Sequence, residues 1–413
     1  MQRRPKILIV SYWYPPAVGA AAERIQSFAR YLPEFGFDVC VLTAEHDGGE
    51  RADGIRVVRV PDPLGAGVSA FADYDGRKQE NSLRSWMRDL VFPDRFLHWS
   101  VAAAQRGGEL LRDERFDAIL ASFPPASAVS AALSMHRASG VPLVLDYRDR
   151  WLGPGGYDPA SPASRRRHQE LEREAVKAAS GIVAVSERMA DAIAVEHRLP
   201  RARVGVVMNG YDESRVSVSE PVIHRDPDDK RLLIAHVGTV IERNRPNLFF
   251  ESIARLHQQG KRKGYRFVFV GNLSRAYVQA AGLSEVIETT GLVGRADADA
   301  WMHSADALLL LTGAYVGEWG ISAKLFEYLH AGRPVLCLEE VPGSNDRLLL
   351  EETAPDRCVF GQLGDDDATL AALSGLSARV VDGPGSVPSP EFQRFSRRRQ
   401  CEQLAGHLRA ILP

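Results

Sequence analysis

Residues 232–238 read Leu-Leu-Ile-Ala-His-Val-Gly, an apolar run closed by a glycine in the middle of the chain. It has the form of a strand covered on both faces, as parallel sheets require. Residues 6–10, Lys-Ile-Leu-Ile-Val, have the same form near the start. From each of these runs the same alternation proceeds. After the first come Val39–Leu42, Ile55–Val60, Ala118–Leu120, Leu143–Leu145, Ile182–Val185 and Val204–Val207. After the second come Phe267–Val270, Val286–Thr289, Ala307–Leu311 and Pro334–Cys337. Stretches of helical period separate them; in the first, Ile25, Phe28, Ala29 and Leu32 repeat at i, i+3, i+4 and i+7. This alternation predicts two doubly wound (Rossmann-like) α/β domains.

Length supports the division, since 413 residues exceed what one hydrophobic core organises. The polar stretch 213–230 carries two prolines and an acidic cluster, and reads as a linker. The boundaries expected are therefore an N-terminal domain over 1–212 and a C-terminal domain over 231–390. A charged amphipathic helix at about 391–410 is placed to pack back across the junction.

Bulk composition is that of a soluble globular protein, with 45% hydrophobic and 25% charged residues. A net charge of −2 gives no sign of a nucleic-acid partner. Cys40, Cys337, Cys358 and Cys401 form no CxxC pair, and three lie in or beside apolar segments, so free buried thiols are expected. That suits a reducing cytoplasm. No apolar stretch approaches the length that crosses a bilayer, and Pro15-Pro16 interrupts the first run too early for a secretory signal.

The segment richest in chemistry is Gly320-Ile-Ser-Ala-Lys-Leu-Phe-Glu327-Tyr-Leu-His-Ala-Gly332-Arg-Pro-Val. Ser322 is an N-cap residue type, Gly332 stops the helix, and Pro334 enters the next strand. Helix N-termini attract anions, and Lys324 adds a positive charge there. Glu327 lies three residues on, where a carboxylate can accept hydrogen bonds from ribose hydroxyls. The plain alternative is a capped helix with a solvated Lys and Glu.

With those residues in view, the chain resembles the family-4-like, retaining GT-B glycosyltransferases. The run from Ser322 to Leu336 is similar to their donor-site helix, in which an E-x7-E pattern grips the nucleotide-sugar. Glu327 matches the second Glu. The position eight residues earlier is Trp319, and Glu318 stands one place early, so the first Glu is displaced. Tyr14–Gly19 resembles the N-terminal glycine loop, with Gly19 allowing close approach to a phosphate. His236–Thr239 with Arg243 resembles the first donor-domain loop, which implies a basic residue at the diphosphate. Arg243 is the choice, Arg245 its rival, and Gly238 and Thr239 belong to the same turn. Gly291-Leu292-Val293 resembles the stretch that reads the nucleobase, and Asn209–Asp212 the family's NGxD.

Asp146-Tyr-Arg148-Asp149-Arg-Trp151 ends a strand, where α/β sheets bind ligands. Relatives often carry a His where Arg148 stands, and a subgroup has RDxW as here. Asp149 is suited to orient a sugar hydroxyl or to accept a proton from an acceptor hydroxyl. An Asp–Arg structural pair is the equal alternative. The resemblance thus implies GT-B domains facing across a cleft, Arg148 and Asp149 as catalytic residues, and a donor site of Gly19, Gly238, Thr239, Arg243, Leu292, Gly320, Ser322, Lys324 and Glu327. It implies no metal and no cofactor, the nucleotide-sugar being a co-substrate. The alternatives kept open are a GT-B nucleotide-sugar epimerase and a non-catalytic nucleotide-sugar binder.

The acceptor is left open among glycans, lipid-linked and small molecules. Leu83, Trp86, Met87 and Leu90 form an apolar stripe flanked by Arg84 and Arg88. Core packing is the favoured reading, and weak peripheral contact with the inner membrane face the other. Asp226, Asp228 and Asp229 read as solvated charge rather than metal ligands.

Overall fold

The computed structural model describes residues 3–46, 54–62, 91–153, 157, 159, 161–213, 228–260, 264–273, 275–380 and 390–412. Residues 214–227 of the expected linker and the stripe from Leu83 to Leu90 lie outside them. The chain divides into two compact units, Met1–Asn209 with Arg397–Pro413, and Gly210–Ser396.

The first unit alternates β1 (Lys6–Val10), α1 (Ala20–Tyr31), β2 (Asp38–Ala44), β3 (Arg56–Val60), α2 (Leu97–Asp113), β4 (Ala118–Phe123), α3 (Ala126–Ser139), β5 (Leu143–Tyr147), α4 (Pro162–Ala178), β6 (Ala179–Ala184), α5 (Glu187–Glu196) and β7 (Val204–Val206). Its seven strands are ordered β3-β2-β1-β4-β5-β6-β7 and pair in parallel. β1 is the pivot, with Ile7 opposite Val39 on one side and Ala118 on the other. Two of its helices start on serine caps. Ser161 accepts from the Ser164 amide with Pro162 at the first helical position, and Ser186 accepts from Met189.

The second unit alternates β8 (Leu232–Val237), α6 (Pro246–Gln258), β9 (Tyr265–Val270), α7 (Arg275–Ala280), β10 (Ile287–Gly291), α8 (Arg295–Ser304), β11 (Ala307–Thr312), α9 (Ala314–Trp319), α10 (Ala323–Ala331), β12 (Val335–Glu339), α11 (Asn345–Thr353), β13 (Cys358–Gln362) and α12 (Asp366–Ser377). Its six parallel strands are ordered β10-β9-β8-β11-β12-β13. The core sets Ile234, Phe267, Phe269, Leu309 and Leu336 against Phe249, Phe250 and Ile253 of α6 and Leu373 and Leu376 of α12. These are the continuous apolar strands of a sheet covered on both faces.

β13 is absent from the sequence reading. It is an edge strand beyond β12 with mostly half-covered residues, so it never shows the unbroken apolar run by which its neighbours are found. The last helix, α13 (Arg397–Ile411), starts later than the expected 391. Pro390–Phe395 form a 3-10 turn, and Ser396 bridges to Tyr211, which interrupts helical pairing. α13 belongs to the first unit, where Cys401, Leu404 and Leu408 join a core with Ile25 and Phe28 of α1. All four cysteines are buried and unpaired. Among the described residues, no helix is long and apolar enough to cross a membrane.

Candidate functional site

In the second unit β8 and β11 are neighbours, yet the chain runs outward from β8 through β9 to β10 and from β11 through β12 to β13. This reversal is the topological switch point, where open α/β sheets bind ligands beyond the carboxyl ends of their strands. Here β8 and β11 pair only through Ile234 with Ala307 and Ala235 with Leu308. Beyond those rungs, side chains take over. His236 Nδ1 lies 3.0 Å from the Leu309 carbonyl, and the Tyr328 hydroxyl accepts from the Val237 amide at 2.8 Å.

The Leu309 carbonyl can only accept, so Nδ1 of His236 carries the proton and Nε2 presents a lone pair. Lys324 Nζ stands 3.0 Å from that lone pair and donates at 2.6 Å to the Thr239 carbonyl. Burial, and then the Lys324 charge, lower the His236 pKa well below its ordinary value and keep the ring neutral. Burial likewise pushes the Lys324 ammonium down to about 8, against the opposing effect of Glu327. Two of three ammonium hydrogens are thereby used, and among the described residues no protein group takes the third. Lys324 and Tyr328, four apart on one face of α10, both reach the end of β8.

Gly238 makes this possible. Its φ is +113°, and a Cβ there would come 2.7 Å from Lys324 Cε. The turn continues through Arg243, whose carbonyl abuts Gly313 so closely that a Cβ would lie 1.8 Å away. The Arg243 guanidinium stands 6.0 Å from the Tyr315 ring centre. Arg243 and Lys324 are therefore both held over the carboxyl ends of β8 and β11. The rival Arg245 is instead paired with Glu340 at 3.1 Å, and Glu340 also accepts from the Ala314 amide. Glu327 pairs with Arg295 at 2.7 Å. Leu292, just past β10, is 82% exposed.

Ser322 occupies the N-cap position of α10, but its hydroxyl accepts no capping bond, contrary to the expectation from its residue type. Its own amide donates to Asp346 Oδ1 at 2.8 Å. The other Asp346 oxygen accepts from Thr312 at 2.8 Å, at the end of β11. Burial raises the Asp346 pKa to about 6, although both hydrogen bonds oppose the rise. Beside it, Asn345 Nδ2 donates to the carbonyls of Glu318 and Gly320. Two consecutive residues of α11 thus fix the turn that opens α10, with the displaced Glu318 left exposed. Sequence reading missed both. The available signal was the run Ser344-Asn-Asp-Arg347 after a strand, a capping pattern rich in acceptors.

In the first unit the dominant feature is a buried ion pair. Arg24 of α1 meets Asp146 of β5 at 2.7 Å, with side chains 4% and 0% exposed. Arg24 also donates to the carbonyls of Val207 and Met208, and Ser122 donates to Asp146 at 2.8 Å. Arg148 donates to Ser122 Oγ at 3.0 Å and to the Pro124 carbonyl, bracing β5 to the end of β4. Asp149 follows at a half-buried bend. Gly19 sits at the N-cap of α1 with φ 129°. Among the described residues one group could together hold a metal ion, Glu172, Glu196 and His197.

Two family models cover most of the chain. Residues 19–210 match the glycosyl transferase 4-like domain, and residues 231–377 match the glycosyl transferases group 1. The chain belongs to the family-4-like GT-B glycosyltransferases. No curated protein matches by sequence. Solved structures match along nearly the full length of this glycosyltransferase. Sucrose-phosphate synthase from Thermosynechococcus elongatus aligns with TM-score 0.65 at 13% identity, over 99% of this chain and 96% of its own. Anabaena HepE in complex with UDP and glucose aligns with TM-score 0.60 at 14% identity, over 98% and 100%. A putative UDP-N-acetylglucosamine 2-epimerase from Listeria monocytogenes aligns with TM-score 0.56 at 12% identity, over 98% and 96%. At these identities the likeness is one of fold, two parallel-sheet Rossmann-like domains. The activity class rests on the family models, and it is glycosyl transfer.

Proposed function

We propose that this glycosyltransferase takes its sugar from a nucleoside-diphosphate sugar held by the C-terminal unit and passes it to an acceptor hydroxyl with retention and without a metal. The observation that carries the donor assignment is Lys324. Its ammonium is fixed by His236 and Thr239 at a sheet switch point, and its third hydrogen meets no described protein acceptor. A diphosphate oxygen completes that set. The fold neighbour HepE, which binds UDP and glucose, supports a donor of this chemical class.

In this reading Lys324 and Arg243 stabilise the negative charge that grows on the leaving diphosphate as the sugar–phosphate bond breaks. Cations already in place cost no reorganisation at that moment. Glu327 exchanges Arg295 for ribose hydroxyls, and the backbone around Gly291 and Leu292 meets the base. Gly238 and Thr239 shape the phosphate turn, and Gly320 and Ser322 open α10 toward it. On the N-terminal unit Asp149 orients the acceptor hydroxyl or takes its proton, with Arg148 positioning the bend. The donor base is uracil or guanine, and the enzyme works in the cytoplasm.

The test is a thermal-shift panel of UDP, GDP, dTDP and CDP on the full chain, followed by turnover of the matching sugar donors with an acceptor panel. A nucleotide at one hundred times its dissociation constant stabilises the fold by about 2.7 kcal/mol. Glycosyl transfer that is lost in Lys324→Ala is the expected result. An epimer formed from donor alone would show an epimerase, and nucleotide binding without turnover a binding protein.

A further inference from the structure

The N-terminal unit carries a cluster of ligating side chains that glycosyl transfer does not use. Glu172 lies in the second half of α4 and is buried, Glu196 ends α5 in solvent, and His197 follows as its C-terminal cap. One oxygen from each carboxylate and one ring nitrogen of the imidazole all fall within 4.8 Å of one another.

His197 Nε2 is the unusual member. Its side chain is 10% exposed, and among the described residues the nitrogen is buried without an aligned hydrogen bond. Glu172 Oε1 is 3.3 Å away, without the alignment such a bond needs. A ring nitrogen closed off from water and from any aligned partner is costly to leave so. Glu172 is itself a buried carboxylate, which among the described residues accepts a long 3.4 Å bond from the Tyr147 hydroxyl and otherwise faces His197 Nε2. Glu196 shares Oε2 with Arg150 at 2.5 Å, which leaves Oε1 for another partner.

A divalent cation answers both needs. It takes the imidazole lone pair, and it pairs the buried carboxylate. Two ligands about 2.1 Å from one ion at a near-tetrahedral angle stand about 3.4 Å apart, close to the observed nitrogen–oxygen separation. One nitrogen and two oxygens suit zinc or manganese better than magnesium, which prefers oxygen and water. The exposed Glu196 side leaves room for water ligands.

We propose that Glu172, Glu196 and His197 form a divalent transition-metal site, of the Zn²⁺ or Mn²⁺ class, that ties α4 to the C-terminal end of α5. Its role is to brace the N-terminal unit. The arrangement without metal is the direct 3.3 Å His197–Glu172 contact, and the two are separable by experiment.

The full-length chain is stripped with a chelator, dialysed, and titrated calorimetrically with ZnCl₂, MnCl₂ and MgCl₂, with melting followed in parallel. The expected result is one Zn²⁺ or Mn²⁺ per chain, a raised Tm, and much weaker Mg²⁺ binding. Glu196→Gln and His197→Gln each weaken binding by about tenfold or more, as loss of a ligand should at least match loss of a supporting contact. Glu196 is exposed, so its variant keeps the fold even if His197→Gln does not. Absence of binding to the wild type, or undiminished binding to Glu196→Gln, overturns the proposal and leaves the direct His197–Glu172 contact.

Discussion

Lys324 Nζ lies 3.0 Å from His236 Nε2, and the contact is ammonium to lone pair because Nδ1 of the same ring already donates to Leu309. A neutral histidine thus acts as a bed for a cation. The ring sits in β8 and the lysine in α10, so the sheet itself sets where the charge stands. The turn carbonyl of Thr239 supplies the second hold. This aims the remaining hydrogen and keeps the long lysine side chain from wandering, which is the ordering that anion binding would otherwise have to impose.

The first prediction concerns pH. With its pKa lowered to about 8, Lys324 loses its charge as pH rises through that value. UDP affinity measured calorimetrically should be flat below pH 7.5 and fall by about tenfold at most by pH 9. Stability should move the other way. The folded pKa lies below the unfolded one, so the unfolded chain binds more protons between about pH 8 and 10.5, and stability rises with pH there. Lys324→Met should remove both trends. A UDP affinity indifferent to pH would count against Lys324 as the diphosphate contact.

Gly238→Ala should injure the donor site through Lys324. The new Cβ would meet Lys324 Cε at 2.7 Å on a backbone with φ +113°. A loss of about 1–3 kcal/mol in urea denaturation is expected, with UDP affinity down about tenfold. Gly260→Ala is the control. Its φ is +67° with no described neighbour within 4 Å of the added carbon, so it carries strain without displacing a described side chain. Equal losses of affinity in both variants would show that strain alone is responsible.

Asp346 gives a stability signature. Its pKa is raised from 3.8 to about 6, so the folded state holds a proton that the unfolded state has released between those values. Stability should therefore fall as pH rises from about 4 to 6, by up to about 3 kcal/mol. Asp346→Asn keeps acceptor and donor atoms for Ser322 and Thr312 and should flatten that interval. Asp346→Ala strips both partners, and should cost about 1–3 kcal/mol and lower UDP affinity as well. Denaturation curves at pH 4, 5, 6 and 7 decide the matter.

The two sheets were legible because their central strands are mostly apolar, with single polar insertions such as Asp146 in β5 and His236 in β8, whereas β13 is a short Cys-Val-Phe-Gly-Gln run in which Gly361 and Gln362 break the apolar signal. The α10 helix was legible through its punctuation, Ser322 before it and Gly332 after it. What sequence could not show was the partnership of groups far apart in the chain. Asp346 takes the Ser322 amide across 24 residues, and Lys324 meets His236 across 88. Neither is visible in local spacing, because it depends on which strand ends are neighbours at the switch point. The end of β5 shows the same limit. Asp146 was in the quoted run, but its partner is Arg24, 122 residues away on α1.

That pair supports the last prediction. Arg24 and Asp146 are both almost fully enclosed, and Arg24 also satisfies the carbonyls of Val207 and Met208. Removing one member of a buried pair leaves a charge without its counter-charge, which costs about 3–5 kcal/mol. Arg24→Met should be the worse single change, because it strands the Asp146 carboxylate and two carbonyls together. Asp146→Asn should be milder, since its amide oxygen still accepts from Arg24. The double variant Arg24→Met with Asp146→Leu should regain part of the loss, as no charge is left buried. Urea midpoints of the four proteins measure this order. An Arg24→Met protein within about 1 kcal/mol of wild type would mean that water reaches the pair and that α1 is not tied to β5 by this contact.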